Sequence, residues 1–253
     1  MLVTLPVRAG PPDPPLVVGD HRSVELVNLG GPTSEALLTR VAVHIGAAVA
    51  AVEAFWGTDW PHQIVVTATG SDRQFATEAG GGSPAQWSDV AAVATADRVD
   101  PGHRLAVGQR VLLAPGAAAM STAALRIVLT HELFHYAARA DTAFDAPRWL
   151  TEGVADFVAR AAPTSADRPA PPLALPSDTD LDTAGPKRAQ AYDRAWWFAR
   201  FVAESYGTAK LREFYLAACG PGHADPATAV QQTLGVGLPA VLTGWQRWLA
   251  SQR

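Results

Sequence analysis

Apolar residues recur at helical spacing from Glu35 to Trp56, where Leu37, Leu38, Val41, Ile45, Val49 and Val52 share one side. The spacing predicts a long helix, capped by Thr33 or Ser34 after the break Gly30-Gly31-Pro32 and ended by Gly57. Before it, the alternation of Val24 and Leu26 predicts a strand over His21 to Leu29. After it, His62 to Ala68 reads as a strong strand, and Gly70 to Gly82 as a polar connection with room for a short helix at most. Val90 to Ala96 and Arg110 to Ala114 are two further strands, joined by the turn-like Asp100-Pro101-Gly102-His103. Strand, helix and then several strands describe an α/β lobe with a mainly antiparallel or mixed sheet.

The pattern changes at Ser121. That residue is a good N-cap for a helix over Thr122 to Arg139, apolar almost all round through Leu125, Ile127, Val128, Leu129, Leu133 and Phe134. Asp145 as cap and Pro147 in the first turn predict a second helix running through Trp149 and Glu152 to about Ala161. Ala162 to Gly185 is rich in Pro, Asp and Thr, has no periodicity, and is long enough to lie over a cleft. Helices follow over Lys187 to Tyr206, Thr208 to Ala218, Pro226 to Leu234 and about Leu238 to Ser251, the third capped by Asp225. Residues 1 to 19 are Pro-rich and read as an extended tether. The expected class is α+β, with an α/β lobe over 20–140 and a helical lobe over 141–253.

Composition narrows the partners. Hydrophobic residues make up 48% and charged ones 17% of the 253, enough for a substantial core. A net charge of −4 provides no basic footprint for nucleic acid. The one cysteine, Cys219, rules out an internal disulfide and has no basic or histidine neighbour in sequence to activate it. No run of 18 apolar residues occurs, which predicts no membrane span in this chain. The Pro-rich opening is compatible with a signal or membrane anchor ahead of it. The expected location is extracytoplasmic, secreted or anchored, with the cytoplasm as the alternative.

The chemistry gathers in His131-Glu132-Leu133-Phe134-His135, an H-E-x-x-H pattern on the expected buried helix. Residues four apart lie on one face, so His131 and His135 can reach one metal ion, with Glu132 beside them to meet a water. A catalytic zinc usually takes three protein ligands. Glu152, 17 residues after His135 on the second helix, is the best third donor. Gly153 beside it costs about 1 kcal/mol in a helix, which close approach to another helix would justify. Asp156, one turn on, can accept the second ring N–H of His131 and fix its tautomer.

These residues resemble a known family. His131-Glu132-Leu133-Phe134-His135 followed by Pro147-Arg148-Trp149-Leu150-Thr151-Glu152-Gly153-Val154-Ala155-Asp156-Phe157 resembles the gluzincin zinc metallopeptidases. More narrowly it looks like the bacterial peptidase MA-like domains, with H-E-x-x-H and then a W-L-x-E-G-x-A helix. The match is specific over residues 120–210 and diffuse elsewhere. The resemblance implies a zincin-like fold: an N-terminal α/β lobe whose edge strand lines a cleft, and a helical C-terminal lobe. It implies Zn2+ on His131, His135 and Glu152, Glu132 as general base, and Asp156 as a carboxylate behind the ligands. It implies a peptide or protein substrate, and an oxyanion donor from the helical lobe. Tyr192 is the first choice for that donor and His223 the second. No G-x-M-E-N signature stands in the region Pro115 to Met120, which makes amino-terminal recognition the weaker form of peptidase.

Some readings stay open at this level. The strand Gln109 to Leu113 fits both an edge strand that binds an extended peptide and a buried strand. A non-catalytic interaction domain with a structural zinc is the alternative to an enzyme, against which Glu132 argues. His21, His44, His62 and His103 have no partner pattern and read as structural, and Trp196, Trp197, Trp245 and Trp248 read as helix packing.

Overall fold

The computed structural model describes residues 16–82, 84–87, 89–162 and 174–252. Strand β1 (Leu16–Val18) pairs antiparallel with β2 (Arg22–Asn28), and helix α1 (Pro32–Trp56) carries the chain over to β3 (Gln63–Ala68), parallel to β2. Helices α2 (Asp72–Glu78) and α3 (Pro84–Trp87) lead to β4 (Ala92–Thr95). A hairpin of β5 (Arg98–Asp100) and β6 (Leu105–Val107) forms a separate two-stranded sheet, and β7 (Arg110–Leu113) returns to the main one. The main sheet has the order β1-β2-β3-β7-β4. β7 runs parallel to β3 and antiparallel to β4, so the sheet is mixed.

The side chains of β7 show how the sheet is covered. Val111 and Leu113 join the main core, while Leu112 packs with Phe75 and Ala114 in a second cluster against Trp87. Val111, Leu112 and Leu113 are fully buried. A continuous apolar run with no polar face is the signature of an interior strand. The structure therefore decides between the two readings of Gln109 to Leu113 in favour of the buried one: β7 lies between β3 and β4, and β4 is an edge.

Other boundaries moved for local reasons. Helix α1 begins at Pro32 with Gly31 as N-cap at φ 75, rather than at Thr33 or Ser34. Ser34 is buried and donates its hydroxyl to the Thr69 carbonyl instead. Part of the expected tether, Leu16–Val18, is a strand, and residues 1–15 lie outside the described residues. The turn at Asp100 to His103 sits inside the β5–β6 hairpin, which the alternation did not reveal. By length and composition α1 is apolar enough to cross a membrane. Here it packs against the sheet and a later helix, burying Val41, Ile45, Val49 and Val52.

The helix packed on α1 is α4 (Thr122–Ala138), capped by the Ser121 hydroxyl, which accepts from Ala124 N. Then come α5 (Arg148–Ala159), α6 (Asp178–Asp182), α7 (Pro186–Tyr206), α8 (Thr208–Cys219), α9 (Pro226–Leu234) and α10 (Leu238–Ser251). The fold is α+β, with the mixed sheet on the N-terminal side and helices in the C-terminal part. Two details differ from expectation. Pro147 is itself the N-cap of α5, with ψ 111, and the Asp145 carboxylate pairs with His223. The expected loop Ala162 to Gly185 holds α6, nucleated by a capping box between Ser177 and Asp180 and pinned by buried Leu181. Residues 163–173 lie outside the described residues. The tryptophans pack as expected: Trp196, Trp197 and Trp245 are buried, and Trp248 stacks against Trp197 and Phe201.

Candidate metal centre

Apolar packing sets the rotation of α4. Leu125, Leu129, Leu133 and Phe134 are fully buried, with Phe134 edge-on to Phe55, Trp56 and Tyr215. Burying a Leu or Phe side chain contributes roughly 1.5–3 kcal/mol, so this face cannot turn outward. Tyr136 adds a directional tie, donating its hydroxyl to the Gln63 carbonyl of β3 at 2.8 Å. The faces that remain carry His131 and His135 towards α5 and Glu132 towards β4.

Helix α5 brings the third donor because it packs closely against α7. A Cβ on Gly153 would lie 2.6 Å from the Ala195 carbonyl oxygen. The glycine thus stands where α5 and α7 meet at backbone distance, and Glu152 next to it faces α4. His131 Nε2 lies 3.1 Å from His135 Nε2 and 3.1 Å from Glu152 Oε2, and His135 Nε2 lies 3.3 Å from the same oxygen. Zinc bonds of about 2.0–2.2 Å at tetrahedral angles place ligand atoms roughly 3.3 Å apart. The three donor atoms therefore match one triangular face of a tetrahedral site. Two imidazole nitrogens and a carboxylate oxygen are also the donor types zinc takes. Among the described residues they form the group of histidine, cysteine and carboxylate side chains able to hold a metal ion.

Asp156, one turn beyond Glu152, accepts from His131 Nδ1 at 2.9 Å. This leaves the Nε2 lone pair of a neutral His131 pointing into the triangle. Arg160, a further turn on, donates to the other Asp156 oxygen at 3.3 Å and to Asp193 at 2.9 Å, and its guanidinium covers the Trp196 ring at 4.1 Å. In the metal-free protein, burial opposes a charge on His131. The bonds to Asp156 and Glu152 and the charges of Asp156 and Glu132 outweigh it and raise its pKa well above 6.5. Burial likewise works against an ionised Glu152, but the two histidines win and hold its carboxyl well below 4.5.

Glu132 is not part of the triangle. Its Oε2 accepts a 2.6 Å hydrogen bond from the backbone N–H of Ala94 on β4. Burial raises its pKa above 4.5, against the pull of His131 and His135. The carbonyl of the same Ala94 accepts from Arg139 Nη2 at 2.6 Å. The edge strand thus reaches the motif helix through both main-chain groups of one residue. A cleft of about 820 Å³ runs between β4 and α7, with Glu132, Val128 and Trp87 among its walls.

Tyr192 on α7 lines that cleft, its ring centroid 6.1 Å from that of His131. Burial first, and then the charges of Glu152, Glu132 and Asp156, raise its pKa far above 10, so the phenol keeps its proton. His223 is elsewhere, 3.3 Å from the Asp145 carboxylate, and lines neither this cleft nor its neighbouring cavity. His62 and His103 are bound to the Asp20 carbonyl and the Asp100 carboxylate. Cys219 is fully buried, and burial pushes its thiol pKa up.

The sequence reading missed four participants: Arg139, Arg148, Arg160 and the Ala94 backbone. Three had a visible signal. Arg139 extends the His131–His135 spacing by one more turn. Arg148 and Arg160 flank Glu152 and Asp156 at intervals of four, making one charged stripe on α5. Ala94 had none, because a main-chain contact leaves no residue type to read. No protein-family model matches this chain, and no curated protein matches it either.

Proposed function

We propose that this chain is a zinc-dependent peptide hydrolase of the gluzincin kind. The observation that carries the reading is the triangle of His131 Nε2, His135 Nε2 and Glu152 Oε2 with a separate carboxylate, Glu132, beside it in a cleft. A purely structural zinc has no use for that additional carboxylate.

Zinc held by His131, His135 and Glu152 would polarise a peptide carbonyl and lower the pKa of a water in the cleft towards 7. Glu132 takes the proton of the attacking water on the oxygen not engaged by Ala94 and hands it to the leaving amine. Tyr192, which stays protonated, donates to the developing oxyanion. Asp156 holds the His131 ring in orientation, and Arg160 holds Asp156. Ala92 shares the outward side of β4 with Ala94, two residues away, and offers an extended peptide its main-chain N–H and C=O.

Metal content and cleavage of casein or a peptide library, compared between the natural protein and Glu132→Gln, test this reading. Bound zinc with cleavage lost in Glu132→Gln supports it. Bound zinc with no cleavage by either protein favours a non-catalytic binding domain.

A further inference from the structure

A second cavity, of about 240 Å³, adjoins the triangle and shares His135, Arg139, Arg148 and Glu152 with the main cleft. Its walls come from the end of α4, the segment 142–146 and the first turn of α5. The volume is below the range of whole small-molecule sites and suits a single side chain.

Its chemistry is one-sided. Arg139 and Arg148 are its cations, and its carboxylate, Glu152, is already committed to the two imidazoles. The hydroxyls are occupied as well. Thr142 donates to the Ala138 carbonyl and is hydrogen-bonded to the Tyr215 hydroxyl, and Thr151 donates to the Arg148 carbonyl. The guanidinium groups are what remains to bind a ligand. Arg139 uses Nη2 on Ala94, and its Nη1 makes no hydrogen bond among the described residues. Arg148 uses Nη1 on Asp182, a carboxylate two-thirds exposed. At the rim stands Phe144, 82% exposed, an aromatic surface for a methylene stem.

We infer that this cavity is a subsite for an acidic residue: it takes the Glu or Asp side chain of a peptide next to the scissile bond. The inference rests on the peptidase reading above. Two guanidiniums meet a carboxylate through charge-assisted hydrogen bonds. They repel a lysine or a free α-amino group, so a peptide amino terminus is not held here.

The test is binding, on zinc-loaded full-length Glu132→Gln protein, of peptides that differ only by Glu or Gln at one position. Calorimetry should show one position at which Glu binds about tenfold more tightly than Gln, the size of one charge-assisted hydrogen bond. Arg139→Gln and Arg148→Gln should each shrink that ratio, and Arg148→Glu should turn the preference towards Lys. Arg148 is 41% exposed in its side chain, so its two variants keep the fold, and circular dichroism checks this for Arg139→Gln as well. Equal affinity for Glu and Gln peptides at every position, absent binding included, overturns the subsite. So does an acidic preference that survives Arg148→Glu. Cleavage by the natural protein, lost in Glu132→Gln, is read separately and bears only on the peptidase reading.

Discussion

The Glu132 carboxylate is tied to the sheet edge by the Ala94 N–H, 2.6 Å away, while its helix neighbours His131 and His135 turn to Glu152. One turn of α4 thus serves two elements: β4 through the acid and α5 through the bases.

Glu132→Gln keeps an oxygen for Ala94 and removes the proton acceptor. Peptide cleavage should fall by about 10²–10⁴-fold, the usual contribution of a general base. Zinc content measured on the same sample should not change. Cleavage at the natural rate would exclude Glu132 as the base.

Asp156→Asn leaves the triangle intact and weakens the acceptor for His131 Nδ1. Zinc affinity, measured by competition with a chromogenic chelator, should drop by about 10–100-fold. His131→Ala, His135→Ala and Glu152→Ala should each abolish stoichiometric zinc.

Tyr192→Phe deletes the phenol and keeps the ring against His131. kcat should fall by about 10²-fold or more, as for other oxyanion donors, with KM and the melting temperature little changed. An effect on KM alone would make Tyr192 a binding residue only.

The metal-free protein should lose stability as pH rises. His131 has a raised pKa in the fold, so its contribution is complete below about 6.5 and is lost as pH climbs through the raised value. Glu132, also raised, acts in the same direction above about 4.5. Glu152 is lowered, so its contribution is present above about 4.5 and disappears only as pH falls through its depressed value. The chelator-treated protein should therefore melt highest in mildly acid solution. Zinc competes with the His131 proton, so the rise in melting temperature on adding zinc should grow with pH. A zinc increment that stays flat from pH 5 to 8 would contradict this linkage.

Gly153→Ala drives a Cβ to 2.6 Å from the Ala195 carbonyl oxygen, a backbone atom with no room to yield. Overpacking of this kind costs about 1–3 kcal/mol. The melting temperature should fall by several degrees, and zinc should bind less tightly because Glu152 moves with α5. Gly116→Ala, where a Cβ meets nothing within 4 Å, is the control.

What could be read from the residues alone was whatever a single helix or strand enforces. The 3.6-residue period puts His131 over His135, and Glu152 over Asp156, whatever surrounds them. Ser121 and Asp225 cap as expected because a cap needs only its own first turn. Gly153 announced a close approach, and the α+β order of elements followed from periodicity.

Tertiary packing settled the remainder. The strand Gln109 to Leu113 fitted both an edge and an interior position in sequence, and only the pairing order showed that it is interior and that β4 takes an edge. The closeness of Glu152 to both histidines comes from how α5 seats on α7 and α4. The placing of Glu132 comes from the approach of β4, and the gathering of Arg139 and Arg148 round one cavity from the segment between α4 and α5. His223, the second choice after Tyr192 for the oxyanion donor, turned to Asp145 instead. Spacing along one element constrains direction over a few ångströms. Distances between elements depend on the whole core, and Ala94 and Glu132, which meet at the cleft, are 38 positions apart in the chain.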